Sequence, residues 1–130
     1  MNKTVSFEEF DVWKLGRVVV KEIYIETNKP AWAKDYAFKD QIRRAAISII
    51  SNIAEGSQRG SNKDFIRFLA FAKGSTAELR AQLYIALDIG YIEGEVFEQI
   101  VAKVAEIEKM LGGFQKYLAS HDLPPSVRKP

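Results

Sequence analysis

Cysteine is missing from this chain of 130 residues, and histidine occurs once, as His121. Without thiols there is no disulfide framework, no thiolate nucleophile and no sulfur ligand for a metal. One histidine, at the head of the stretch HDLPPSVRKP, leaves no partner for a histidine-based dyad or metal site. The Glu-x-x-His pairs that hold metals in carboxylate-bridged helical bundles are also missing. No run approaches the ~18 apolar residues that a membrane helix needs. The opening MNKTVSFEEF carries acidic residues where a secretory signal would be apolar. These absences argue against an enzyme and for a soluble cytoplasmic protein with no cofactor and no membrane partner.

What is present is helical. Hydrophobic residues make up 47% and charged residues 28% of the chain, the balance of a globular domain able to bury its own core. Four segments show a period of three and four. The first starts at Ser6, with Glu8 and Glu9 in its opening turn, and stops at Asn28-Lys29-Pro30. The second runs from Asp35 to Glu55, with Gly56 as its stop. The third opens on the capping box Ser61-Asn62-Lys63-Asp64 and continues to Ile89, before Gly90. The fourth covers Gly94 to Ala119. Residues 1–119 are therefore expected to form one bundle and residues 120–130 a loose tail.

The stripes predict the core. Phe38, Ile42, Ala45, Ile49 and Ile53 share a face in the second segment. Phe65, Phe68, Leu69, Ala72, Thr76, Leu79, Leu83 and Leu87 do so in the third, and Val96, Ile100, Val104, Ile107, Leu111, Phe114 and Leu118 in the fourth. Short polar links between these segments predict antiparallel neighbours, an up-and-down four-helix bundle. The first segment is apolar on two sides: Phe10, Trp13, Val20 and Ile23 form one stripe, and Phe7, Leu15, Val18, Val19 and Ile25 spread over the other. Scattered surface apolar residues would account for this. A subunit interface is the preferred reading, because the apolar arc is wide.

Three groups of polar residues are candidate sites. Gln41, Arg44, Ser48, Asn52 and Glu55 line one face of the second segment, and Ser75, Glu78 and Gln82 one face of the third. If the two faces meet, Asn52 and Glu55 bond Ser75 or Glu78, a network preferred here over a catalytic carboxylate pair. The loop Gly56-Ser57-Gln58-Arg59-Gly60 has the glycines of an anion cradle. It lacks the G-x-x-x-x-G-K-S/T pattern and a preceding strand, so the signal for a nucleotide is weak, and a C-cap, turn and N-cap account for it with no ligand. Net charge is only +2 with pI about 8.8, yet cations crowd the middle of the chain while glutamates crowd the last segment. Arg43, Arg44, Arg59, Lys63 and Arg67 are the candidate phosphate contacts; a solvated helix face is the alternative.

The stretch AAISIISNIAEGSQRGSNKDFIRFLAFAKGSTAELRAQL, residues 45–83, resembles the signature of a bacterial family of small four-helix-bundle proteins. The family is named after open reading frames in the intervening sequences of 23S ribosomal RNA genes. Its A-x-S-I-x-x-N-I-A-E-G pattern matches Ala46, Ser48, Ile49, Asn52, Ile53, Ala54, Glu55 and Gly56. Its F-L-x-x-A-x-G-S-x-x-E-L pattern matches Phe68, Leu69, Ala72, Gly74, Ser75, Glu78 and Leu79. Asp11 to Lys14 fit its first helix. The resemblance implies an antiparallel bundle assembled as a homopentameric barrel with no enzymatic activity. It also implies kinship with the accessory protein of diversity-generating retroelements, which binds nucleic acid and a reverse transcriptase. The expected function is thus that of a homo-oligomeric bundle associating with RNA or DNA through its basic middle helices. A protein-interaction scaffold for an unidentified partner is the alternative.

Overall fold

A hydrophobic period of 3.6 with punctuation by proline, glycine and capping hydroxyls should give helices and nothing else. The computed structural model, which describes residues 6–121, is all-helical, with no strand among the described residues. Four helices pack together: α1 (Asp11–Thr27), α2 (Tyr36–Ser57), α3 (Asn62–Asp88) and α4 (Gly94–Ser120). α1 packs on α2 and α4, and α3 packs on the same two.

The ends of the helices show why the chain breaks where it does. Ser6 does not start α1; it precedes a separate 3-10 turn, Phe7–Glu9, and makes no side-chain cap bond. Phe10 then leaves helical geometry (φ −72°, ψ 129°). This places its buried ring 5.2 Å from that of Phe114 and 6.2 Å from that of Phe65. Pro30 forces Lys29 into extended backbone (ψ 154°) and opens a second 3-10 turn, Pro30–Trp32. Asp35 caps α2 by accepting from the Phe38 amide at 3.2 Å, and Ser61 caps α3 by accepting from the Asp64 amide at 3.1 Å. At the end of α3, Gly90 takes φ +79°, and the amides of Gly90 and Tyr91 reach back to Leu87 O (3.1 Å) and Ala86 O (2.8 Å). That paired closure satisfies carbonyls that the helix leaves open.

The core follows the predicted stripes of α2, α3 and α4 closely, with Phe97 replacing Val96 and Ala86 replacing Leu87 as buried positions and Phe38 only half-buried against it. α1 differs. Its buried face is Val12, Gly16, Val19 and Ile23, while Trp13, Leu15 and Val20 sit half-buried beside it. Most of its second apolar side is used within the chain, leaving Val18, Tyr24 and Ile25 exposed.

Gly56 also departs from expectation. It lies inside α2 with a negative φ, and the helix continues through Ser57. A Cβ here would stand 2.7 Å from Phe68 Cβ and 2.9 Å from Phe65 Cδ1, so α3 approaches α2 over a residue without a side chain. Gly16 does the same for α1, where a Cβ would stand 2.5 Å from Ile50 Cγ2.

Trp32 locks one end of the molecule. Its buried indole stacks on Phe38 at 5.2 Å, lies 5.0 Å from Tyr91 and donates from Nε1 to Tyr91 O at 3.1 Å. The Tyr91 hydroxyl in turn donates to Asp35 Oδ2 at 3.0 Å. At the other end, Asn62 Nδ2 donates to His121 O (2.7 Å) and Leu118 O (3.3 Å). Ser120 is the last helical residue, and the His121 ring stacks on Tyr117 at 4.2 Å. Of the tail expected at 120–130, Ser120 belongs to α4 and His121 is anchored, while 122–130 lie outside the described residues.

Candidate functional site

Helical spacing brings Ser48 and Asn52 of α2 onto one face, and the packing of α3 places Ser75 opposite. Ser75 Oγ donates to Ser48 Oγ at 2.8 Å, and Asn52 Nδ2 donates to Ser48 O at 2.8 Å and Ser48 Oγ at 3.1 Å. This is a half-buried chain of three polar side chains bridging two helices. The carboxylates are not in it. Glu55 turns to solvent and pairs with Arg59 one turn on, at 3.0 Å. Glu78 is exposed and makes no hydrogen bond or ion pair among the described residues. Gln41 is exposed, Arg44 pairs with Asp40 at 3.0 Å, and Gln82 is buried. The expected bonding of Glu55 or Asn52 to Ser75 or Glu78 is replaced by a hydroxyl–hydroxyl–amide chain centred on Ser48. The arrangement has no base beside a nucleophile, and among the described residues no group of acidic or histidine side chains could hold a metal.

The five candidate phosphate contacts do not share one face. Arg43 lies inward: Nε donates to Thr27 Oγ1 at 2.8 Å, Nη2 donates to Asn28 Oδ1 at 2.9 Å, and the guanidinium sits 4.3 Å from the centre of the Tyr24 ring. It ties the end of α1 to α2. Arg44 is spoken for by Asp40. Arg59, Lys63 and Arg67 gather at the α2–α3 turn, where the guanidinium groups of Arg59 and Arg67 lie 4.5 Å and 5.6 Å from the Phe68 ring centre. Arg67 also pairs with Asp64 at 3.6 Å, whereas Lys63 is exposed and has no ion-pair partner among the described residues.

Two features escaped the sequence pattern. Lys73 and Arg80 of α3 face Lys109 and Lys116 of α4 across one groove. The outward face of α3 carries Ala70, Gly74, Ala77 and Ala81, all exposed, flanked by Phe71, Tyr84 and Ile85, each about half exposed. The spacing of four, three and four was there to be found. A Cβ on Gly74 would meet nothing within 4 Å.

Four helices packed around one apolar core, with a seryl–amide bridge between the second and third, define a small four-helix-bundle protein. The chain belongs to the family described as 23S rRNA-intervening sequence protein, whose pattern matches residues 8–113. Among solved structures, it is similar to a protein with unknown function from the S23 ribosomal protein family of Bacteroides thetaiotaomicron. The two share 28% identity and a TM-score of 0.69, over 81% of this chain and 94% of that one. No protein of curated function matches.

Proposed function

We propose that this protein is a non-enzymatic, antiparallel up-and-down four-helix bundle of the bacterial cytoplasm that assembles with copies of itself, as a pentameric barrel, and associates with RNA or DNA. Antiparallel order is supported by side-chain pairs: Asn62 reaches Leu118, Gln115 reaches Ile66 and Arg80 meets Glu108, so partners fall in number along α4 as they rise along α3. The observation that carries the assembly is the outward face of α3. Exposed small residues at Ala70, Gly74, Ala77 and Ala81 let another helix come close, and Phe71 (49% exposed) and Ile85 (50%) supply apolar area beside them. This reading puts the interface on α3, whereas the sequence pattern put it on α1.

For nucleic acid the supporting feature is the α2–α3 turn, where Arg59 and Arg67 lie over the Phe68 ring and Lys63 stands exposed in the first turn of α3. The reading includes kinship with the accessory protein of diversity-generating retroelements. Repetition of one small cationic cluster around a ring would convert weak contacts into avidity. Light scattering should return a multiple of the 14.7 kDa chain mass, five-fold for the pentamer, and Gly74→Leu should leave a folded single chain. A wild-type protein of single-chain mass at micromolar concentration refutes assembly. RNA and DNA binding should weaken linearly on a log–log salt plot, and Arg59→Glu/Lys63→Glu should lower the affinity and make that slope shallower. No binding at low salt removes the nucleic-acid reading. The scaffold reading, which the same α3 face favours, would then stand.

A further inference from the structure

From the groove between α3 and α4 we infer a binding site for an oligophosphate group, the di- or triphosphate of a nucleotide or of a free inorganic ion. The groove has a volume of about 430 Å³, within the range of small-molecule sites. Lys73 and Arg80 line one wall, and Lys109 and Lys116 line the other. Each pair is seven residues apart on its helix, about 10.5 Å along the axis. Glu108 engages only Arg80, at 3.2 Å, which leaves three ammonium groups with no carboxylate partner among the described residues. Like charges gathered in one groove repel, and Glu108 is the one carboxylate among the lining residues.

The groove has a second mark of design. Gly112 and Gly113 sit in the interior of α4, where glycine is a poor helix former. Neither has a positive φ, and neither permits a close helix contact: a Cβ on Gly113 would meet nothing within 4 Å, and one on Gly112 only Lys73 Nζ, at 3.9 Å. This sets them apart from Gly16 and Gly56, whose missing Cβ atoms are filled by neighbouring helices. Their backbone N–H groups are inside a helix and cannot serve a ligand. What they provide is clearance, and it opens beneath the Lys73 ammonium.

The compactness of the charge selects the ligand. A nucleic-acid strand carries one charge per nucleotide and puts few of them within ~10 Å, whereas a triphosphate concentrates its charge in one cluster. Ala105 is the one uncharged side chain in a lining otherwise made of charged residues and glycines, so the site holds phosphates and does not read a base. The inference is independent of the Arg59–Lys63–Arg67 turn, and either can fail alone.

Calorimetric titration of the full chain at low ionic strength tests it, with sodium triphosphate, ATP and adenosine as probes. Triphosphate and ATP should bind once per chain with similar affinity, and adenosine should not bind. Lys73→Ala/Lys116→Ala should weaken both at least ~10-fold, since each charged hydrogen bond lost is worth about that factor. Lys21→Ala/Lys34→Ala, which removes equal charge at exposed positions outside the groove, should bind as wild type. Gly112→Leu should abolish binding while melting no lower than wild type. Absence of binding by either phosphate overturns the proposal. So does wild-type affinity in the Lys73/Lys116 variant, or displacement of triphosphate by an unphosphorylated single-stranded oligonucleotide at equal concentration, which would make the groove a nucleic-acid path.

Discussion

Replacing Gly56 by alanine tests whether the approach of α2 and α3 is set by a missing side chain. Carbon atoms in good contact stand about 3.5–4.0 Å apart. The added Cβ would stand 2.7 Å from Phe68 Cβ and 2.9 Å from Phe65 Cδ1, a shortfall of roughly 1 Å against each. Phe68 Cβ is fixed to the α3 backbone and cannot swing aside. Phe65 is fully buried among Phe10 and Phe114, with ring centres at 6.2 and 5.0 Å, so it has no free space to enter. The helices must therefore part or the ring cluster repack, at a cost of about 2–3 kcal/mol, the upper part of the overpacking range. Alanine recovers about 1 kcal/mol of helix propensity. The net loss is about 1–2 kcal/mol, or 4–8 °C in melting temperature for a chain of this size. Gly113→Ala gains the propensity with nothing to collide with, and should rise by about 4 °C. Thermal unfolding followed by circular dichroism at one fixed protein concentration would compare the three. A Gly56→Ala protein as stable as wild type would refute the argument.

Other substitutions separate residues that the spacing had grouped. Asn52→Ala strands Ser48 and should lose about 1 kcal/mol, whereas Glu55→Ala removes a solvent-exposed pair and should change stability by under ~0.5 kcal/mol; urea titration with an unchanged slope checks both. Trp32→Ala opens a cavity between two interhelix links and should cost about 3–5 kcal/mol by the same assay. The hydrogen bond that the Tyr91 hydroxyl donates to Asp35, then burial, then the Asp35 negative charge raise the Tyr91 phenol above its ordinary 10.0. A raised folded-state value means that this contribution is whole below pH 10.0 and is lost as pH climbs from there through the folded-state value. Tyr91→Phe should abolish that segment of the stability–pH curve, and a curve unchanged by the substitution would exclude the coupling.

Local signals were legible and distant ones were not. Ser61 and Pro30 act on their immediate neighbours, so the boundaries they set could be read directly. Three core stripes could be read because burial repeats along one helix. The α1 stripe was misread for a local reason with a distant cause: Phe10 lies outside the helix, drawn to Phe65 and Phe114, and counting from it shifts the period onto Trp13. Gly16, a member of the true stripe, has no hydrophobicity to register. Gly56 read as a stop because glycine near a helix end commonly is one; the reason it remains helical sits in Phe65 and Phe68, on another helix. The site divided in the same way. Ser48 and Ser75 do meet, but Glu55 had a nearer partner four residues on in Arg59, and a basic residue such as Arg43 gives no sign in sequence that its charge faces inward.

The lengths of the links have a consequence in time. Only residues 58–61 separate α2 from α3, and 89–93 separate α3 from α4, so their contacts close small loops. The contact of α1 with α4 joins the two ends of the described chain, across a loop that contains everything else. Loop entropy makes such a contact the last to be rewarded. α2 and α3, already drawn together over Gly56, form the natural nucleus. α1 then docks late, guided onto α2 by Gly16 and fastened by Arg43 to Thr27 and Asn28. Run in reverse, the same order makes α1 the first segment to open from the native state, and its amides the first of the four helices to exchange with solvent.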